Sequence, residues 1–188
     1  MKNAVLFSEK AFVSLAMACL LGASGCGGSA TPPAETAAGS ESAPQGEDDS
    51  DADRSLAEMY PTQRSEVSGT IVLRKADGGV LLKGRLNGLP AGTHALAVHE
   101  KGDCSAHDAK SVGGIFNPAG ADPALGRLGD LTTKEPGKTE VEITVPGLEM
   151  SGPNSVVGKA LVVHAWPYDP AAELEKVPYL ACGVIRPR

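Results

Sequence analysis

Beyond residue 62 the chain is a succession of short runs in which apolar and polar residues alternate, separated by turn residues, and this texture points to an all-β fold. In Ser68-Gly69-Thr70-Ile71-Val72-Leu73-Arg74, Ile71 and Leu73 fall on one face, because successive strand residues point to opposite sides. Asp77-Gly78-Gly79 then turns the chain into Val80-Leu81-Leu82-Lys83-Gly84-Arg85-Leu86, where Leu82 and Leu86 share a face, so these two runs are read as a hairpin. Further strands are expected over residues 93–99, 140–145, 158–165 and 180–185. Between His99 and Lys138 lie nearly forty residues without convincing periodicity, rich in Gly, Pro, Asp and Ala. A loop of that length in a compact domain is usually functional or disordered. Residues 171–176 are long enough for one helical turn.

The first third is not built to fold. Lys2 and Lys10 precede an apolar run over residues 11–21, too short to span a bilayer and suited to a signal-peptide core, so residues 1–25 are read as a signal peptide. The run ends in Ala23-Ser24-Gly25-Cys26, which resembles the site at which bacterial lipoproteins are acylated and cleaved, although Ala23 stands where Leu is usual. Cys26 is thus the expected lipid-bearing N-terminus, and ordinary secretion with cleavage nearby is the alternative. Residues 26–62 are rich in Gly, Ser, Ala, Pro, Thr and Glu and carry the cluster Glu47, Asp48, Asp49, Asp51 and Asp53. With so little to bury they are read as a disordered, self-repelling acidic tether, and residues 63–188 as the single folded domain.

These readings place the protein in the bacterial cell envelope, held at a membrane by its N-terminal lipid. Cys19 lies in the signal core and Cys26 at the anchor, so only Cys104 and Cys182 remain for the folded region. In an oxidising compartment they can pair, pinning the long loop to the last strand, or they stay as two buried thiols. The formal net charge of the whole chain is −6, and without residues 1–25, which carry Lys2, Lys10 and Glu9, 15 basic and 22 acidic residues are left. Such a balance argues against nucleic acid as a partner.

Six ordered segments carry more specific information. They are Gly88-Leu89-Pro90-Ala91-Gly92-Thr93-His94, Val98-His99-Glu100-Lys101-Gly102-Asp103, Gly113-Gly114-Ile115-Phe116-Asn117-Pro118, Gly129-Asp130-Leu131, Val157-Gly158-Lys159-Ala160-Leu161-Val162-Val163-His164 and Leu180-Ala181-Cys182-Gly183-Val184-Ile185. Together they resemble the landmarks of copper/zinc superoxide dismutases over roughly residues 65–186. The resemblance implies a Greek-key β-barrel or sandwich with one long, disulfide-tethered loop. It also implies a copper ion held by four imidazoles, beside a zinc ion that shares one bridging His with it.

The ligand positions depart from that pattern. The His-x-His pair reads Ala97-x-His99, the bridging position holds Ile115, and the last copper position is kept as His164. An apolar Ile115 offers no lone pair to either metal. The two further zinc histidines map to Pro123, or Asp122 with one residue of shift, and to Arg127, leaving Asp130 as a residual and doubtful zinc ligand that has Arg127 as an alternative ionic partner. An Arg that helps guide the anionic substrate is replaced by Tyr179, and the loop from His164 to Cys182 carries Asp169, Glu173 and Glu175 against Lys176 alone. His94 matches a histidine that braces the barrel without binding metal. His107 is read as a surface residue or as a replacement ligand folding back over the site.

Fold survives such losses more readily than chemistry does. The leading expectation is a non-catalytic superoxide-dismutase-like lipoprotein with low copper occupancy at most and no zinc. The alternatives are a copper-binding protein, or a weak dismutase, using His99 and His164 with substitute ligands. The protein partner is left open, a homodimer included.

Overall fold

The computed structural model describes residues 53–121, 123–169 and 176–188. The signal segment, Cys26, most of the tether, Asp122 and the helical turn expected over 171–176, apart from Lys176, lie outside them. All of the described residues fall in one compact unit.

Alternation of the kind seen at Ile71 and Leu73 buries one side of each strand, and eight strands use it. They are β1 (Arg54–Pro61), β2 (Ser68–Ala76), β3 (Gly79–Leu89), β4 (Gly92–His99), β5 (Arg127–Thr133), β6 (Gly137–Pro146), β7 (Ala160–His164) and β8 (Tyr179–Pro187). All neighbours are antiparallel, in the order β5-β4-β7-β8-β1-β2-β3-β6. The chain crosses from one half of the sheet to the other between β3 and β4 and again between β6 and β7, which makes the topology a Greek key. The strands curl into a nearly closed barrel. At its seam β5 runs into β6 through residues 134–136, and the buried hydroxyls of Thr133 and Thr139 meet at 2.7 Å. The β2–β3 hairpin turns at Asp77 and Gly78, where Gly78 takes the left-handed φ of 75° that such a turn requires.

The interior is one apolar cluster that draws on every strand, including Ile71, Leu73, Leu82, Leu86, Leu96, Leu161 and Ile185. Loops cover the opposite face of β4 and β7, so β7 is buried from end to end and β4 from His94 onward. That doubly covered pair of strands carries the candidate site.

Two strands depart from the expectation. β1 lies inside the stretch read as a tether, because its inward residues Ser55, Ala57 and Met59 form a weakly apolar set that does not announce a buried face. Its place is nonetheless central, paired with β2 on one side and β8 on the other. β5 lies inside the stretch read as aperiodic. A register shift opposite Leu96 and Ala97 breaks its alternation, and Gly129 and Asp130 are consecutive exposed residues.

Candidate functional site

The register of β4 on β7 pairs His99 with Ala160 and Ala97 with Val162. Leu96, Val98, Leu161 and Val163 belong to the barrel interior, so Ala97, His99, Val162 and His164 stand on the loop-covered face. His99 ends β4 and His164 ends β7, and small residues between them let the two rings approach along a diagonal. Their Nε2 atoms are 3.2 Å apart, with ring centroids at 5.4 Å and planes inclined by 22°. Both residues are fully buried.

The carbonyl of Gly113 sits 2.8 Å from His99 Nδ1 and can only accept, so Nδ1 carries the proton. His99 Nε2 is then the acceptor in the contact between the rings, and His164 Nε2–H donates. Gly113 reaches this position with a φ of 75°. A three-way backbone junction behind it joins Val98, Phe116 and Gly126, with Val98 N–H donating to Gly126, Gly126 N–H to Phe116 and Phe116 N–H to Val98. Any side chain at Gly126 would collide with the Val98 carbonyl.

Tyr179 closes the imidazole pair from one side. Its ring meets both histidines edge-on, with centroids 5.3 Å from His99 and 4.7 Å from His164, and it is itself buried. The Lys110 ammonium lies 3.7 Å from the Tyr179 ring centroid and donates to the Val177 carbonyl at 3.0 Å. The arrangement thus runs from buried imidazoles through an aromatic ring to a surface cation. No sequence signal marks Lys110, whose neighbours have no periodicity, and Tyr179 is visible only as a departure from a family position.

Beside this pair the side chains are hydrocarbon. Ala95, Ala97, Ile115 and Val177 form a buried cluster, flanked by Ala124, Ala165 and Tyr168. Ile115 is delivered there by an isolated bridge to His99. The two positions named from the sequence as altered ligands, Ala97 and Ile115, therefore belong to one buried apolar cluster.

Asp130 and Arg127 do not pair; each uses Tyr168 instead. Asp130 accepts the Tyr168 backbone N–H at 2.9 Å, and the Arg127 guanidinium carbon lies 3.9 Å over the Tyr168 ring. Partial burial pushes the Asp130 carboxyl above its ordinary range, since desolvation penalises the anion. With Pro123, Leu96 and Gly129 these residues border a shallow cleft of about 230 Å³.

His94 lies between two carbonyls, its Nδ1 2.9 Å from Ala165 and its Nε2 3.1 Å from Pro90, so it ties the start of β4 to the turn before it and to the loop after β7. His107 is exposed, and its carbonyl accepts from Gln63 N–H. Among the described residues no three of His, Cys, Asp and Glu gather closely enough to hold a metal ion. The structure brings together His99 and His164, and leaves His94, His107 and Asp130 apart from them.

Cys104 and Cys182 are joined, with their Cα atoms 5.8 Å apart. The pairing fastens the long loop to β8, and beside it Ala109, Val112, Ala160, Val162 and Tyr179 complete a small apolar cluster. Of the two states open from the sequence, the disulfide is the one found.

The sequence family described as copper/zinc superoxide dismutase (SODC) matches the chain over residues 67–185, a span that takes in β2 to β7 and most of β8 and leaves β1 outside it. Over well more than half of its length, and with the Greek-key barrel and the loop-to-β8 disulfide in place, the chain belongs to the copper/zinc superoxide dismutase family.

Proposed function

We propose that the protein is a ligand-depleted member of this family, an envelope lipoprotein whose barrel works as a binding or structural module and not as a dismutase. The observation that carries the reading is the buried hydrocarbon cluster that holds both Ala97 and Ile115, the positions that match imidazoles in the family's motifs. The family's two metals, copper and zinc, need donor atoms, and the side chains on this face do not fit them as a set. Pro123 has no donor, Arg127 is a permanent cation, and the Asp130 carboxylate is engaged by the Tyr168 amide. Tyr179 stands where a guiding cation is expected and covers the imidazoles. The export signal and Cys26 support anchoring to a membrane, and the acidic balance of the chain supports partners other than nucleic acid.

A second reading, copper binding without turnover, is favoured by one distance. The Nε2 atoms of His99 and His164 are separated by 3.2 Å, so these two imidazoles are the donors that would hold a copper ion. Two imidazoles hold Cu(I) better than Cu(II).

The test is made on the full chain exported to an oxidising compartment. Copper and zinc per chain are measured after loading, together with the rate of superoxide removal. The proposal expects removal at the level of a blank and no retained zinc. Copper that is retained, and lost in His164→Ala, moves the assignment to the second reading. Superoxide turnover that His99→Ala or His164→Ala abolishes overturns both.

A further inference from the structure

Arg127 carries a charge that its surroundings leave unanswered. Its guanidinium stays protonated at any ordinary pH and lies 3.9 Å over the Tyr168 ring, a contact that fixes its plane without neutralising it. Nε and Nη1 are buried and have no hydrogen-bond partner among the described residues. Nη2 is not among those buried atoms and is the donor left for a ligand. A partly buried cation in that state costs free energy until an acceptor reaches it. Asp130, three residues along β5, does not supply one, because its Oδ1 accepts the Tyr168 backbone N–H at 2.9 Å and the two side chains do not pair.

Both side chains nevertheless border one cleft of about 230 Å³. Tyr168 holds the guanidinium with its ring and the carboxylate with its amide, so one residue keeps the two opposite charges in place and apart. A carboxylate has about four acceptor sites, and the amide occupies one. A simple anion entering the cleft gains Arg127 and is repelled by Asp130, and a simple cation meets the reverse. A ligand with both charges on neighbouring atoms gains from both. Ala95, Pro123 and Gly129 complete the lining with small groups, and the volume is below the roughly 300–1,000 Å³ that drug-sized ligands occupy.

We infer that this cleft binds a free α-amino acid with a small apolar side chain, its carboxylate on Arg127 and its ammonium on Asp130. A planar guanidinium matches a carboxylate in shape as well as charge. The assignment gives the barrel a small-molecule ligand, and it stands whether or not the imidazole pair takes copper.

The test uses the full chain with its disulfide intact. Trp166, the only tryptophan in the sequence, is 59% exposed, and its carbonyl accepts the N–H of Ala95, a residue of the cleft, at 2.9 Å. Its fluorescence therefore reports from beside the site. Alanine of either hand, propionate and ethylamine are titrated at one ionic strength, read by that fluorescence and by saturation-transfer NMR of the small molecule. Saturable binding of alanine is expected, with propionate and ethylamine, each lacking one of the charges, at least about tenfold weaker. Arg127→Gln is expected to abolish alanine binding, and Asp130→Asn to weaken it about tenfold while propionate binds no worse than before. The comparison of three ligands on the parent needs no variant to fold. Propionate that binds the parent as tightly as alanine overturns the assignment, and so does alanine that fails to bind the parent or binds Arg127→Gln unchanged.

Discussion

Ile115 shows how one residue shapes the face beside the histidines. Its branched hydrocarbon offers no donor atom and adds apolar surface whose burial contributes about 1.5–3 kcal/mol, in a cluster with Ala95, Ala97 and Val177. The same economy governs Asp103, beside the disulfide. Hydrogen bonds from Ser105, with smaller help from Ser111 and Lys101, hold its carboxyl below the ordinary value of 3.8. A carboxyl more acidic when folded than when unfolded adds stability that is complete above 3.8 and fades as pH falls through the folded value. Asp103→Asn is therefore expected to lower Tm at neutral pH, with the gap from the parent closing as the solution is taken below about pH 4. A gap that stays constant across that range in thermal melts counts against the carboxylate's role. His99 and His164 were legible in the sequence because the segments that resemble the family's motifs single them out. Tyr179 and Lys110 were not legible as a lid, since the ring and the ammonium come from segments far apart in the chain.

Among the elements, β1 teaches most about what a pattern can hide. Ser55, Ala57 and Met59 point into the barrel, and only Met59 carries a large apolar side chain. Truncating it removes fully buried volume in contact with the main core, so Met59→Ala is expected to cost about 2–5 kcal/mol in denaturant unfolding. Glu58→Ala, one residue away on the outer face, is expected to cost less than about 0.5 kcal/mol. Equal effects at the two positions would contradict the inward-outward alternation assigned to the strand. β5 was hidden for a different reason. Its register shift and its exposed Gly129 and Asp130 interrupt the period of two that marks a strand. The β2–β3 hairpin, by contrast, was legible because Ile71, Leu73, Leu82 and Leu86 keep that period on both sides of a Gly turn.

At the scale of the whole molecule, the disulfide ties together remote parts of the described chain. Cys104 and Cys182 are 78 residues apart, and closing a loop of that size removes chain entropy equivalent to about 4–5 kcal/mol in the unfolded state. Replacing both by Ser is expected to lower the unfolding free energy by about 2–5 kcal/mol, read by chemical denaturation under oxidising conditions. A loss below about 1 kcal/mol would mean that the unfolded chain keeps the two segments together without the bond. The pairing of β1 with β8 joins the two ends of the described chain. Barrels closed by such long-range contacts fold slowly, because loop entropy is lost before the contacts form.

The sequence by itself determined the fold class, the hairpin and the two histidines that meet. These follow from local alternation, from turn chemistry and from ordered motifs, all of which are written in neighbouring residues. Tertiary structure decided the rest. It drew Arg54–Pro61 into the barrel, because a strand of weak apolarity is stabilised by the two partners that flank it. It joined the cysteines, gave Asp130 and Arg127 a common partner in Tyr168 and set Tyr179 over the imidazoles. Each of these outcomes depends on distances between segments remote in sequence, and such distances come into being only when the sheet curls and its loops fold over β4 and β7.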